Sequence, residues 1–161
     1  MRPAAVVISN RQIQNFSAGL HGPDDTWREG SRKTLETLDS AGIHTILLRD
    51  TPSPVVDIPD CLTGDSSWWA RRRGSRNNPC ALDRTAALSD GVFRAEQEAA
   101  AGLSHVQVLD LSDLFCDAAI CPAVKNGLIV YRDDSHITAQ FAASLAPALA
   151  GRLEPLISAA R

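Results

Sequence analysis

Two short runs, Ala4-Ala5-Val6-Val7-Ile8-Ser9 and Ile43-His44-Thr45-Ile46-Leu47-Leu48, bound the stretch whose reading decides the fold. Each is continuously apolar and rich in β-branched residues, the pattern of a strand buried in a parallel sheet. Between them, Asp24 or Asp25 is placed to cap a helix that runs to about Ala41 and that Gly42 ends. Trp27, Thr34, Leu35, Leu38 and Ala41 mark the expected inner face of that helix. Strand, helix and strand in this order form a βαβ unit with a right-handed crossover.

Working outward, Val106-Gln107-Val108-Leu109-Asp110 reads as a third strand, and Gly127-Leu128-Ile129-Val130-Tyr131 as a further extended run. A helix is expected from about Arg84 to Ala101, with Leu88, Val92, Ala95 and Ala99 on one stripe. The last helix starts after His136 and turns Ile137, Phe141, Leu145 and Leu149 inward; Pro147 should bend or restart it. Asp50 to Asp83, punctuated by Pro52, Pro54 and Pro59, reads as irregular, and Leu111 to Pro122 as a loop. The alternation predicts one α/β domain with a parallel sheet over residues 1–161.

Composition agrees. The chain has 161 residues, 44% of them apolar and 22% charged, enough for one globular domain and unlike disordered, collagenous or coiled-coil sequences. A net charge of −3 leaves no basic footprint for nucleic acid. Fourteen Arg against two Lys, with abundant Ala, reads as the codon bias of a GC-rich bacterial genome. No run approaches the roughly 18–20 apolar residues of a membrane span, and Ala4–Ile8 is too short for a signal peptide. The four cysteines point the other way. Cys61 and Cys80 bracket an irregular polar loop, and Cys116 and Cys121 a tight one, so two disulfides of an oxidising compartment are expected. Four reduced, buried cysteines are the alternative. An exported type of domain without an export signal suggests a fragment.

For chemistry, Asp133-Asp134-Ser135-His136 lies between an extended run and a helix. An Asp three residues before a His can accept its Nδ1–H, which fixes the tautomer and leaves Nε2 as a general base. The alternative is a helix N-cap at Asp133 or Asp134 beside an ordinary surface His136. Gly64-Asp65-Ser66 resembles a nucleophile block, but Pro59 and Cys61 precede it where a buried strand is needed. His21, His44 and His105 make no zinc-ligand spacing, and neither metal nor other cofactor is expected. The run Arg71-Arg72-Arg73 is either a solvated loop face or a contact for an anionic group.

The stretch from Val108 to Leu149 contains Leu114-Phe115-Cys116-Asp117, Cys121-Pro122, Val130-Tyr131-Arg132-Asp133 and the Asp-x-x-His leading into a helix. With Ile58-Pro59-Asp60-Cys61-Leu62 upstream, it resembles the C-terminal part of the SGNH (GDSL-like) domain fused to bacterial membrane acyltransferases, which O-acylate cell-surface polysaccharides. The resemblance implies a three-layer α/β/α fold of flavodoxin-like type, here without its first strand and helix. It implies a serine nucleophile in a Gly-Asp-Ser block and an oxyanion hole of backbone amide, Gly and Asn, with Asp133 and His136 completing the triad. Asn10 falls at the place of the oxyanion Asn, although Ser9-Asn10-Arg11 departs from the usual Gly-x-Asn-Asp. The serine and glycine blocks precede the strand that Ala4–Ser9 resembles, so the chain alone is expected to be inactive. The implied partners are an acyl donor, a glycan or glycolipid acceptor and a membrane acyltransferase domain in cis or trans, at the extracytoplasmic face of the cytoplasmic membrane. A non-catalytic remnant or binding module, and a complete small esterase using Ser66, remain as alternatives.

Overall fold

The structure, a computed structural model, describes residues 3–11, 23–54, 56–64, 80–88 and 90–158. In chain order the elements are β1 (Val6–Ile8), α1 (Pro23–Ser40), β2 (Thr45–Leu48), α2 (Ile58–Thr63), β3 (Leu82–Asp83), α3 (Arg84–Ala87), α4 (Asp90–Ala100), β4 (Val106–Leu109), α5 (Ser112–Phe115), β5 (Ile120–Cys121), β6 (Val124–Lys125), β7 (Leu128–Ile129) and α6 (Ala139–Ser158). They fall into two units. The first comprises Met1–Asp50, Asp90–Asp110 and Leu149–Arg161, and the second Thr51–Ser89 and Leu111–Ala148.

The first unit holds the parallel sheet, in the order β1-β2-β4, which makes this an α/β fold. Thr45, Ile46 and Leu47 of the central strand are buried, as their unbroken apolar run requires. β1 differs from expectation. Among the described residues it pairs on one side only, with β2, and Val7 is 47% exposed rather than buried. Gly42 ends the α1 region at φ 61, a conformation that glycine adopts without a Cβ clash. Of the expected inner face, Leu35 is buried, while Thr34 and Ala41 are exposed, because the covered stripe of α1 is narrower than the apolar spacing suggested. Arg32 of α1 donates to the carbonyls of Ala99 (3.0 Å) and Ala101 (2.7 Å) and so caps the C-terminal end of α4.

The expected helix from Arg84 to Ala101 is two helices, α3 and α4. Leu88 leaves helical geometry at φ −106 and ψ 59 to cap α3. Leu88, Val92, Ala95 and Ala99 are all buried, Leu88 in the second unit's cluster and Ala99 in the first unit's.

The second unit is assembled from very short elements. Asp57 caps α2 by accepting from the Asp60 backbone N–H (2.9 Å), and Gly64 stops it in the left-handed conformation. Part of the expected irregular segment is therefore helical, and the loop after Leu111 contains α5 and β5. The run Gly127–Tyr131 is not a parallel strand. Asn126 and Gly127, both at positive φ, make the two-residue turn of an antiparallel hairpin between β6 and β7. α6 begins at Ala139 and continues through Pro147 without a break in helix assignment.

Both disulfides are present as expected: Cys61–Cys80 with a Cα separation of 5.8 Å and Cys116–Cys121 at 4.0 Å. All four cysteines belong to one buried cluster with Ile58, Phe115, Val130, Tyr131 and Phe141. Tyr131 is fully buried, and its hydroxyl donates to the Pro52 carbonyl at 2.7 Å. Arg84 ties down the Cys116–Cys121 loop through the Asp117 carbonyl (2.8 Å) and the Ser112 hydroxyl (3.0 Å).

Removing the longer cross-link with Cys61→Ala and Cys80→Ala together should lower unfolding free energy by about 3 kcal/mol, the loop-closure entropy of a ring this size. Tyr131→Phe should cost about 1–3 kcal/mol, because it strands a buried carbonyl. Urea denaturation measures both, and a loss under about 0.5 kcal/mol in either variant would contradict the role given to that contact.

Candidate active site

The Asp133–His136 pair sits in a loop that its own backbone closes. Tyr131 and Ile137 form an antiparallel bridge, Arg132 N–H donates to the His136 carbonyl (2.9 Å), and Thr138 N–H donates to the Val130 carbonyl (2.9 Å). Thr138 then caps α6, its hydroxyl accepting from Phe141 N–H at 3.2 Å. The N-cap alternative for Asp133 or Asp134 is thereby overturned, since α6 begins only at Ala139 and Thr138 caps it. The loop follows the antiparallel hairpin strand β7 and not a strand of the parallel sheet.

Within the loop, Asp133 Oδ1 accepts from the backbone N–H groups of His136 (2.6 Å) and Ser135 (2.8 Å). The same carboxylate faces His136 Nδ1, at 2.9 Å from Oδ2 and 3.1 Å from Oδ1. A carboxylate can only accept, so this geometry selects the tautomer with the proton on Nδ1 and leaves Nε2 as the basic nitrogen. The His136 side chain is 64% exposed. Asp133 titrates well below the usual carboxylate range. The His136 backbone N–H is the main cause, acting against desolvation, and the Ser135 N–H and the His136 ring add to it.

Ser135 Oγ lies 3.2 Å from His136 Nδ1, the nitrogen already committed to Asp133. Ser66 lies outside the described residues, as do His21 and the Arg71–Arg73 run. The residues just before Gly64 form helix α2, whereas a nucleophile elbow needs a strand there.

Asn10 follows β1 at its carboxyl end and belongs to the first unit. Its Nδ2 donates to Glu96 Oε1 at 2.6 Å, and the Trp27 indole N–H reaches the same oxygen at 3.4 Å. Glu96 is 3% exposed. Burial raises its pKa, the bonds from Asn10 and Trp27 oppose that, and the nearby Asp50 charge adds to it. Glu96 was overlooked in the sequence although a signal existed: a charge at i+4 of the stripe Val92, Ala95, Ala99. Among the described residues no group of His, Cys, Asp and Glu is arranged to hold a metal ion. His105 is instead held by Asp39, at 3.1 Å from Nδ1 and 2.7 Å from the backbone N–H. No helix among the described residues is long and apolar enough to cross a membrane.

An α/β fold carrying an Asp-oriented histidine is the equipment of acyl-transfer and ester-cleaving domains. The family model of the SGNH domain fused to AT3 domains matches residues 2–151, and the chain belongs to that family. No curated protein and no solved structure matches it.

A depressed carboxylate pKa means that the ionised Asp133 stabilises its loop fully above the ordinary value near 3.9. That stabilisation is lost only as pH falls below it through the lower folded value. The backbone amides of Ser135 and His136 should therefore keep their hydrogen-exchange protection on acidification to about pH 4 and lose it below. Asp133→Asn should abolish both the protection and its pH dependence. Protection that disappears well above pH 5 in the wild type would contradict this assignment.

Proposed function

We propose that this chain is the SGNH acyl-transfer domain of a membrane acyltransferase that modifies cell-surface glycans or glycolipids, with Asp133 and His136 as its base-side pair. The observation that carries the reading is the contact between Asp133 and His136 Nδ1, which leaves Nε2 available to a substrate-side proton. In the proposed step, Nε2 takes the proton of a hydroxyl nucleophile as that oxygen attacks an ester carbonyl. Asp133 holds the ring in the required tautomer and stabilises the imidazolium that forms. The imidazolium then returns the proton to the leaving alcohol, and the acyl group passes to the acceptor hydroxyl in a second, mirrored step. Asn10 is the proposed oxyanion donor, with its amide orientation set by Glu96.

Ser135 is not the proposed nucleophile, since its Oγ lies 3.2 Å from Nδ1, the nitrogen committed to Asp133. The isolated chain is expected to be nearly silent. An extracytoplasmic location agrees with the two disulfides, since such cross-links persist in oxidising compartments.

In the intact acyltransferase, His136→Ala and Asp133→Asn should each lower transfer to the glycan by about a thousandfold while leaving the protein folded and membrane-inserted. The isolated chain should neither hydrolyse a p-nitrophenyl ester nor take up a serine-directed fluorophosphonate. Transfer that survives both substitutions would overturn the catalytic reading in favour of a binding module. Labelling that disappears in Ser66→Ala would establish a complete small esterase instead.

A further inference from the structure

Among the described residues Glu96 is the one acidic side chain that is buried, at 3% exposure. It stands on α4 among Val92, Ala95 and Ala99, where an ionised carboxylate loses its hydration and needs hydrogen bonds in exchange. Those bonds come from two other elements. Asn10, just after β1, donates through Nδ2 at 2.6 Å, and the Trp27 indole N–H of α1 reaches the same oxygen at 3.4 Å. One carboxylate thus joins the end of β1, α1 and α4.

The three groups differ in what they can exchange. An indole N–H only donates, an ionised carboxylate only accepts, and a primary amide does both from opposite ends. While Glu96 is ionised, both partners must present N–H groups to it, and the Asn10 carbonyl oxygen is directed away. A protonated Glu96 carries an O–H donor, which the Asn10 Nδ2 cannot accept. Its carbonyl oxygen still serves Trp27. The O–H finds an acceptor within the same cluster when the Asn10 amide makes a half-turn about Cβ–Cγ and brings Oδ1 where Nδ2 stood. That torsion is broad and roughly two-fold, so the two settings differ in hydrogen bonding and little in strain.

Burial is the main force pushing Glu96 toward its neutral form. The Asp50 carboxylate, just after β2, adds to it, against the bonds from Asn10 and Trp27. The arginines of the elements packed nearby are directed elsewhere. Arg28 of α1 meets Asp25 and Glu98, Arg32 of α1 meets Glu36, and Arg49 after β2 meets Asp110 and the face of Phe93.

We infer that Glu96 is a proton-operated latch on Asn10: ionised, it holds the amide with Nδ2 inward, and on taking up a proton from solvent it donates to Oδ1 and turns the amide over. The latch itself follows from the three side chains. Its consequence for acyl transfer rests on the role proposed for Asn10 above. In the ionised state the second Nδ2 hydrogen is the one left for an oxyanion, and turning the amide relocates it. Acid then withdraws the donor by a route separate from protonation of His136.

The test follows the Asn10 Nδ2 and Trp27 Nε1 signals of the 15N-labelled 161-residue chain by NMR from about pH 7 to about pH 3. Both signals should move with one shared midpoint, above the ordinary glutamate value. The nuclear Overhauser contact between the Asn10 Nδ2 hydrogens and the Glu96 side chain should be lost below that midpoint. Glu96→Gln, which does not ionise, should remove the titration from both signals. Asp50→Asn leaves the latch intact and should move the midpoint down, because a like charge has been removed; it decides the matter even where the Gln variant folds poorly. Separate midpoints, an Overhauser contact that survives protonation, a titration that persists in Glu96→Gln, or a midpoint indifferent to Asp50→Asn would each overturn the inference. No turnover is measured, so failure here is distinct from failure of the catalytic reading, which the His136 variants decide.

Discussion

The two disulfides are the constraint on which the second unit depends. Its strands are two residues long and its helices, apart from its share of α6, run four to six residues. Elements this short do not persist through hydrogen bonding alone, because helix nucleation and isolated hairpins are both unfavourable in water. What holds them is a single buried cluster in which all four cysteines take part with Ile58, Phe115, Val130, Tyr131 and Phe141. Cross-linking removes conformations from the unfolded chain, which offsets what the small elements cannot supply. The Asp133–His136 loop grows directly from this cluster, through the buried Val130 and Tyr131. The position of the histidine is thus set by covalent geometry and core packing, although its own side chain lies in solvent.

The first unit solves a different problem. Its parallel sheet needs apolar cover, and α1 and α4 contribute Leu35, Ala99 and Ala100 to the cluster with Leu47. Into this setting the chain places Glu96, whose burial raises its pKa, and gives it Asn10 and Trp27 as partners. Replacing Glu96 by an aliphatic residue would continue the α4 stripe, but Asn10 would lose its acceptor. The buried charge thus fixes the orientation of the Asn10 amide. A similar device works at the opposite end of the sheet, where Asp39 accepts from the backbone and ring of His105 and joins the end of α1 to the start of β4. There the second imidazole, His44, packs edge-on at 5.3 Å, and the arrangement serves packing.

The two Asp–His contacts are alike in local geometry and different in setting. In both, the aspartate accepts from the histidine's own backbone N–H and faces its Nδ1. His105 lies at a strand start, against His44. His136 lies in a loop, with its side chain mostly in solvent. A carboxylate beside an imidazole is therefore not by itself a catalytic signature; the two differ in exposure, His136 being the more open to solvent.

Much of this architecture was legible in the residues. The apolar runs at Val6–Ile8, Thr45–Leu48 and Val106–Leu109 specified three parallel strands, although only the central one is buried as such a run implies, Val7 and Val108 being exposed. Asp133 three residues before His136 implied the contact that forms, because that spacing lets a side chain fold back within one turn. The cysteine spacings implied their pairs. Other features escaped, for reasons that are equally physical. The Asn126-Gly127 turn was a local signal for a hairpin and outweighed the apolar run after it. The later start of α6 follows from the Tyr131–Ile137 bridge, which closes a loop over the residues where the helix was expected to begin, and no local residue signal marked the break at Leu88. The sequence by itself determined the three parallel strands, the covalent staples and the Asp–His contact, all of which rest on local spacing and burial preference. Tertiary structure decided that Tyr131 would find the Pro52 carbonyl and that Glu96 would hold Asn10 and Trp27. Those bonds join residues 79, 86 and 69 positions apart, and only the packed fold brings them within reach.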